Sequence, residues 1–332
     1  MHLLLNAHSI QRRSLLGLLG LSPFSTSAWG QEAYPNRAVK MVIPFPPGGN
    51  TDLIGRLLTQ ALGERFTQSF YIENKPGAGG NIGVDSVAKA KPDGYTLAYS
   101  TLSTHALNVG LYSKLAFDPV KDLEPVALTV QVPLILVVPS SSGITQLSQL
   151  IELLKKNPGK HNYASAGNGT SSHIACHLFA QRAELEVQHI PYAGTGPAMT
   201  DLLAGRVDFA MDAPSVLKAL IVSGRLTPLA IALPARINSL PDVPTFEEAG
   251  LKNFKAYSWN ALWAPAHTPE SILDTLNTAV NRILSLPSIA TKIEDSGVVP
   301  FRALSRLDVK NFMQTEFDYW VPIVKTIGVR LD

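Results

Sequence analysis

Apolar positions recur along this chain with two periods, and their alternation predicts the fold. Val39 to Ile43 is a short, mostly apolar run that stops at Pro44, the length and composition of a strand. Ile54, Leu57, Leu58, Ala61 and Leu62 then recur at i, i+3, i+4, i+7 and i+8, which places them on one face of a helix over Leu53–Phe66. Phe70–Glu73, Tyr95–Tyr99, Leu134–Val138, His161–Ser165, Val187–Ile190, Val207–Met211 and Thr227–Ala232 read as further strands, with helical patterns between them. One such helix starts beyond a Thr145 cap and another spans Ser171–Ala183. Strands alternating with helices argue for α/β architecture with largely parallel sheets. The tail beyond Pro269 is helical, with Ile272, Leu276, Val280, Ile283 and Leu284 on one face. Two α/β units result, one opening at Val39 and the other at Leu134. Crossings near Val126–Val132 and Lys255–Ala261 are expected to act as hinges.

Glycine-rich polar loops follow the strands. Pro44-Phe45-Pro46-Pro47-Gly48-Gly49-Asn50-Thr51-Asp52 leads from the first strand into the first helix. The first N–H groups of a helix lack internal partners and face whatever occupies the preceding loop. Gly48 and Gly49 leave room for an approaching anion, and the loop carries no Lys or Arg. A small carboxylate held by backbone is one reading; an ordinary capped turn is the other. Open α/β sheets place ligands at strand C-terminal ends. Two units presenting such loops to each other form a cleft, and ligand sites favour such interfaces.

The 332 residues suffice for two domains, and a 45% hydrophobic, 16% charged composition is that of a cored globular protein. Arg12 and Arg13 account for the whole excess of 28 basic over 26 acidic residues. A balanced body without basic blocks argues against nucleic-acid binding. Arg12-Arg13, the apolar run Leu15 to Leu21 and the closing Ala28-Trp29-Gly30 read as an export signal over residues 1–30. The mature chain is then expected to begin near Gln31, in the periplasm. The pair resembles a twin-arginine signal, with Gly17 where a basic residue is usual. Cys176 is the sole cysteine, so no internal disulfide forms.

Several short patterns suggest chemistry. Gly77-Ala78-Gly79-Gly80-Asn81-Ile82-Gly83 has dinucleotide-loop character but the spacing G-x-G-x-x-x-G, and the next strand ends without a ribose-holding acid. An anion cradle or plain close packing fits it better. His173, Cys176 and His177 share one helical face at zinc-ligand spacing, yet Ile174 stands where a catalytic Glu would be and no acidic ligand is near. Ser215-Val216-Leu217-Lys218 matches S-x-x-K without its partner motifs, leaving an exported serine hydrolase using Ser215 and Lys218 as an alternative. Asp212 closes a strand, where it either accepts from a ligand or caps the next helix.

The ordered series of loops carries a resemblance. It comprises the Pro44–Asp52 loop, Asn74-Lys75-Pro76-Gly77-Ala78-Gly79-Gly80, Pro92-Asp93-Gly94-Tyr95-Thr96, Ser103-Thr104-His105-Ala106, Gly169-Thr170-Ser171-Ser172-His173, Pro191-Tyr192-Ala193-Gly194, Leu240-Pro241-Asp242-Val243-Pro244-Thr245 and Ala264-Pro265-Ala266-His267-Thr268-Pro269. From about Tyr34 onward the chain resembles the periplasmic receptors of tripartite tricarboxylate transporters, the Bug family. The resemblance implies a two-lobed periplasmic-binding-protein fold of Venus-flytrap, type II-like form. Lobe 1 would span 31–131 and 257–332, and lobe 2 132–256. It implies a monomer that holds a small carboxylate and delivers it to integral membrane subunits, without cofactor, metal or catalytic residues. Carried over, the ligand-binding residues are Phe45, Pro47, Gly48, Gly49, Ser103 and Thr104 in the first lobe. Gly167, Gly169, Thr170, Tyr192, Gly194 and Asp212 serve in the second. Cys176 and Asn260 depart from the family pattern, and Asn260 alters ligand preference if it faces the cleft. A ligand-sensing receptor for a signalling partner is a further alternative.

Overall fold

In the computed structural model, which describes residues 34–326 together with Arg330 and Leu331, two mixed sheets each carry helices on their faces. The export-signal reading and the start near Gln31 lie outside the described residues. The first sheet contains β1 (Val39–Ile43), β2 (Phe70–Asn74), β3 (Thr96–Thr101), β4 (Leu123–Pro133), β10 (Tyr257–Pro265) and β11 (Val299–Pro300), in the order β11-β4-β10-β3-β1-β2. The second contains β5 (Ile135–Pro139), β6 (His161–Ser165), β7 (Val187–Pro191), β8 (Phe209–Asp212) and β9 (Leu226–Ile231), in the order β7-β6-β8-β5-β9. The helices are α1 (Asn50–Phe66), α2 (Asn81–Ala88), α3 (Asn108–Leu111), α4 (Leu147–Lys156), α5 (Ser171–Arg182), α6 (Thr195–Leu203), α7 (Pro214–Val222), α8 (Glu270–Leu284), α9 (Pro287–Asp295) and α10 (Arg306–Thr326).

The expected parallel pairing holds for only three strands of each sheet. β2, β1 and β3 run parallel, as do β7, β6 and β8. The remaining strands pair antiparallel. The stretches expected as hinges are largely strand. β4 and β10 pair from Tyr257 against Pro133 to Pro265 against Leu123. The two crossings are therefore paired with each other along that length. The cap of α4 also differs: Gln146 caps it, and Gln149 reaches back in a capping box, so Thr145 lies outside.

Helix faces fall as the spacing predicts. Ile54, Leu58 and Leu62 of α1 and Leu276, Val280 and Ile283 of α8 share one core with β1 and β3. Cys176 is fully buried with Phe179, Phe209 and Met211 in the core of the second sheet. Burial pushes its thiol far up from its ordinary value, so it is a small apolar core residue there.

The last helix is tied down by a buried acid. Glu316 accepts from Tyr257 Oη at 2.7 Å, Trp259 Nε1 at 2.9 Å and Trp320 Nε1 at 3.2 Å. Glu316→Leu leaves both indole N–H groups buried without acceptors, so we expect about 3–5 kcal/mol of destabilisation. Glu316→Gln keeps an acceptor and should cost about 1–2 kcal/mol. Urea unfolding decides; equal midpoints for Glu316→Leu and wild type would refute this role.

Candidate functional site

The loop after β1 is built around Asp52. Its carboxylate accepts from Gly48 N at 3.0 Å, from Arg56 through two bonds of 2.9 Å, and from Asn74 Nδ2 at 3.0 Å. Asn74 Nδ2 also donates to Phe45 O at 3.0 Å. Burial pushes the Asp52 carboxyl up, but Arg56, the Gly48 N–H and Asn74 outweigh it and hold it below its ordinary value. The charge is spent inside the loop, which fixes Gly48 at φ +87° and leaves Gly49 in extended conformation as the N-cap of α1.

Gly49 lines a cavity between the two sheets, and so do Thr170, Gly194 and Ala213. These four are the N-caps of α1, α5, α6 and α7. Four helix N-termini therefore meet at one cavity, each bringing the positive end of its dipole, although Ser171 N is already taken by Ser103 Oγ, Ala213 N by Asp212, and Pro214 has no N–H to offer. Among the described residues, no Lys or Arg lines it. Room for water centres amounts to about 90 Å³, against about 10–15 Å³ for one water, which suits a small organic molecule.

Of the residues singled out from sequence, Phe45, Gly49, Ser103, Thr170, Gly194 and Asp212 line the cavity. The other six lie off it. Pro47 and Gly48 are exposed. Thr104 is buried, its hydroxyl donating to Thr101 O at 3.0 Å. Gly167 and Gly169 adopt φ of +130° and +76°, and Gly169 N donates to His173 Nδ1 at 3.2 Å. Tyr192 Oη donates to Asp201 at 2.7 Å. These residues shape the loops that carry the lining. Sequence reasoning missed Asn50, Thr101, Ser171, Ser172, Thr195 and Ser258, which also line the cavity. Asn50, Ser171 and Thr195 each directly follow an N-cap, so the first helical residue after each loop was the available signal. Asn260 does face the cavity, with its side chain fully buried.

Among the described residues, Asp212 is the only carboxylate of the lining. Its oxygens accept from Thr195 Oγ1 at 2.9 Å and from Ala213 N at 2.7 Å. It does not cap α7, whose N-cap is Ala213. Burial pushes its pKa up to about 6, against the pull of those two donors.

The short patterns resolve as packing. A Cβ on Gly80 would sit 2.6 Å from Thr104 Cγ2, one on Gly83 2.7 Å from Lys75 O and one on Gly79 2.9 Å from Asn168 O, so the Gly77–Gly83 loop is closely packed against its own lobe and, at Gly79, against the other. His173 stacks on His189 at 3.8 Å, and among the described residues no group of three or more His, Cys, Asp or Glu could hold a metal. Ser215 Oγ donates to Asn50 Oδ1 at 2.8 Å and Lys218 Nζ to Asp295 O at 2.7 Å, so each polar group of the S-x-x-K pattern has a partner elsewhere. Both bonds cross between lobes. Ser171 N also crosses, donating to Ser103 Oγ at 3.0 Å.

Residues 54–329 match the family model described as the tripartite tricarboxylate transporter family receptor. BugT of Bordetella pertussis is 35% identical over 302 residues, covering 90% of this chain and 92% of that protein. A Rhodopseudomonas palustris protein solved with adipate superposes with a TM-score of 0.86 at 34% identity, covering 89% of this chain and 98% of that one. MatC from Rhodopseudomonas palustris, with bound malate, gives 0.83 at 35% identity over 88% of this chain and 100% of that one.

Proposed function

The chain belongs to the receptor family of tripartite tricarboxylate transporters, and from that premise we propose that it captures a small carboxylate between its lobes. The reading makes it an exported, periplasmic, monomeric protein that hands its ligand to integral membrane subunits and catalyses nothing. Its lobes are residues 31–131 with 257–332, and 132–256. The observation that carries the ligand class is the meeting of four helix N-termini at a cavity that no described cationic side chain lines. Each N-terminus stabilises an anion by about 0.3–1 kcal/mol, or up to about 2 when partly buried. With charge-assisted hydrogen bonds added, four such ends reach the roughly −8 kcal/mol of a micromolar ligand. Relatives solved with adipate and malate support the same class. Native mass spectrometry of freshly purified protein, followed by calorimetry with the acid found, tests it. Failure of every small mono-, di- and tricarboxylate to bind would overturn it.

Asp212 gives this reading a pH signature. Its carboxyl has a pKa near 6 and no described cationic side chain beside it in the lining, so it is charged above that pH and repels an incoming anion. A bound carboxylate raises the pKa further, and binding near neutral pH therefore takes up a proton. Affinity should weaken as pH rises above about 6, by up to about tenfold per pH unit. Calorimetry in two buffers of different ionisation enthalpy should reveal the uptake, and Asp212→Asn should remove it. Wild-type affinity constant between about pH 6 and 8 would rule the mechanism out.

A further inference from the structure

We propose that Asn260 is a specificity-determining residue of this site, reading an oxygen acceptor on the ligand through an amide N–H that is oriented from the opposite lobe. The inference rests on the carboxylate-receptor reading and adds to it a second recognition point, away from the helix N-termini. Asn260 sits on β10, the central crossing strand, where its backbone carbonyl accepts from Thr129 Oγ1 at 2.9 Å. Its side chain is fully buried, and it lines the cavity.

The direction of the side chain is set by an ordered chain of hydrogen bonds. Ser215 Oγ, near the start of α7, donates to Asn50 Oδ1 at 2.8 Å. Asn50 Nδ2 donates to Asn260 Oδ1 at 3.1 Å. Each acceptor is thereby occupied, and Nδ2 of Asn260 is left buried with no partner among the described protein atoms. A buried donor without an acceptor is costly, and native folds keep few of them. An arriving oxygen acceptor removes that cost. An apolar ligand group at the same place leaves it standing, so the site discriminates against such ligands.

The chain of bonds also spans both lobes. Asn50 begins α1, Ser215 belongs to α7 of the second lobe, and Asn260 belongs to the first sheet. Separation of the lobes breaks the Ser215–Asn50 bond and frees the Asn50 amide to turn, and with it the anchor of Asn260. The donor is fully oriented only when the lobes meet. Ser215 is therefore a positioning residue, acting through Asn50 and not on the ligand.

Matched acids separate this role from a structural one. Calorimetry is run with succinate against butyrate and adipate against hexanoate, pairs that differ in whether the far end carries oxygen. Wild type should prefer the diacid of at least one pair. Asn260→Ala should weaken that diacid about ten- to a hundredfold and the matching monoacid much less. Ser215→Ala, which disturbs no core residue, should reduce the same preference about threefold, with the melting temperature of every variant checked. Equal losses for diacid and monoacid would mean that Asn260 only supports the fold, and would overturn the assignment. Tighter diacid binding by Asn260→Asp would put the acceptor, not the donor, at the ligand, and would overturn it equally. Both of those outcomes leave wild-type binding in place. Failure of wild type to bind these four acids and every other small mono-, di- and tricarboxylate, checked by native mass spectrometry as well as heat, instead overturns the carboxylate reading, and this inference with it.

Discussion

Gly49→Val is expected to abolish carboxylate binding while leaving the melting temperature close to that of wild type. Gly49 has φ −80° and ψ 168°, extended backbone that a β-branched residue adopts readily. A Cβ built there meets nothing within 4 Å. Since Gly49 lines the cavity and caps α1, the added branches take up the space in which an anion approaches the helix N-terminus. The fold keeps its bonds; the ligand loses its place. An affinity loss of about a hundredfold or more corresponds to at least about 2.7 kcal/mol. Gly169→Val makes the contrast. Its φ is +76°, and a Cβ there would lie 2.6 Å from Asn108 Oδ1. That change strains the backbone and pushes on the other lobe, so its melting temperature should fall with its affinity. Wild-type binding by a folded Gly49→Val protein would show that this loop is only a turn.

This contrast also marks what could be read from sequence. Gly49, Gly167 and Gly169 look alike in a glycine-rich loop, because a glycine kept for a ligand and one kept for positive φ are the same letter. Backbone angle separates them, and it emerges only from the folded loop. Two strands were legible to the residue, Val39–Ile43 from its apolar run and His161–Ser165 from the turn residues that bound it, Asn157-Pro158-Gly159 before and Ala166-Gly167-Asn168-Gly169 after. Pairing was not. β4 and β10 lie over a hundred residues apart in sequence, and nothing local in Val126–Val132 says that its partner is Tyr257–Pro265 and not solvent. The stretches expected as hinges proved to be largely paired strands, which no local signal announces. Asp52 was hidden in the same way, since its partners Arg56 and Asn74 are supplied by the next turn of α1 and by β2.

Stability should fall steeply from about pH 6 downward, starting above the range in which ordinary carboxylates protonate, because the fold keeps three imidazoles neutral. Burial pushes His105 down to about 3, against a weak upward pull from Thr101 O. Burial, with His189 and His177 adding to it, pushes His173 to about 3, and burial with His177 pushes His189 to about 4. In the unfolded chain each titrates near 6.5. Between the two values the unfolded state holds a proton that the native state lacks, so stability present above about pH 6.5 is lost as pH falls. Asp212 works in the opposite sense. Its native pKa near 6 lies above its unfolded value of 3.8, so one proton is bound by the native state over much of the same window. Three protons against one leave a limiting slope of about 3 kcal/mol per pH unit, and total stabilities are only about 5–15 kcal/mol. Urea midpoints measured stepwise from about pH 7.5 to 4.5 should therefore drop sharply while the m-value holds. His105→Phe preserves an aromatic ring over Trp263, on which His105 stacks at 3.6 Å, and removes one proton from the balance. Its slope should be shallower by about 1.4 kcal/mol per pH unit. Asp52, held below its ordinary value, loses its contribution only as pH falls below about 4, so the two effects separate along the pH axis. Midpoints level from about pH 7 down to 4.5 would mean that these imidazoles are solvated and charged in the native protein.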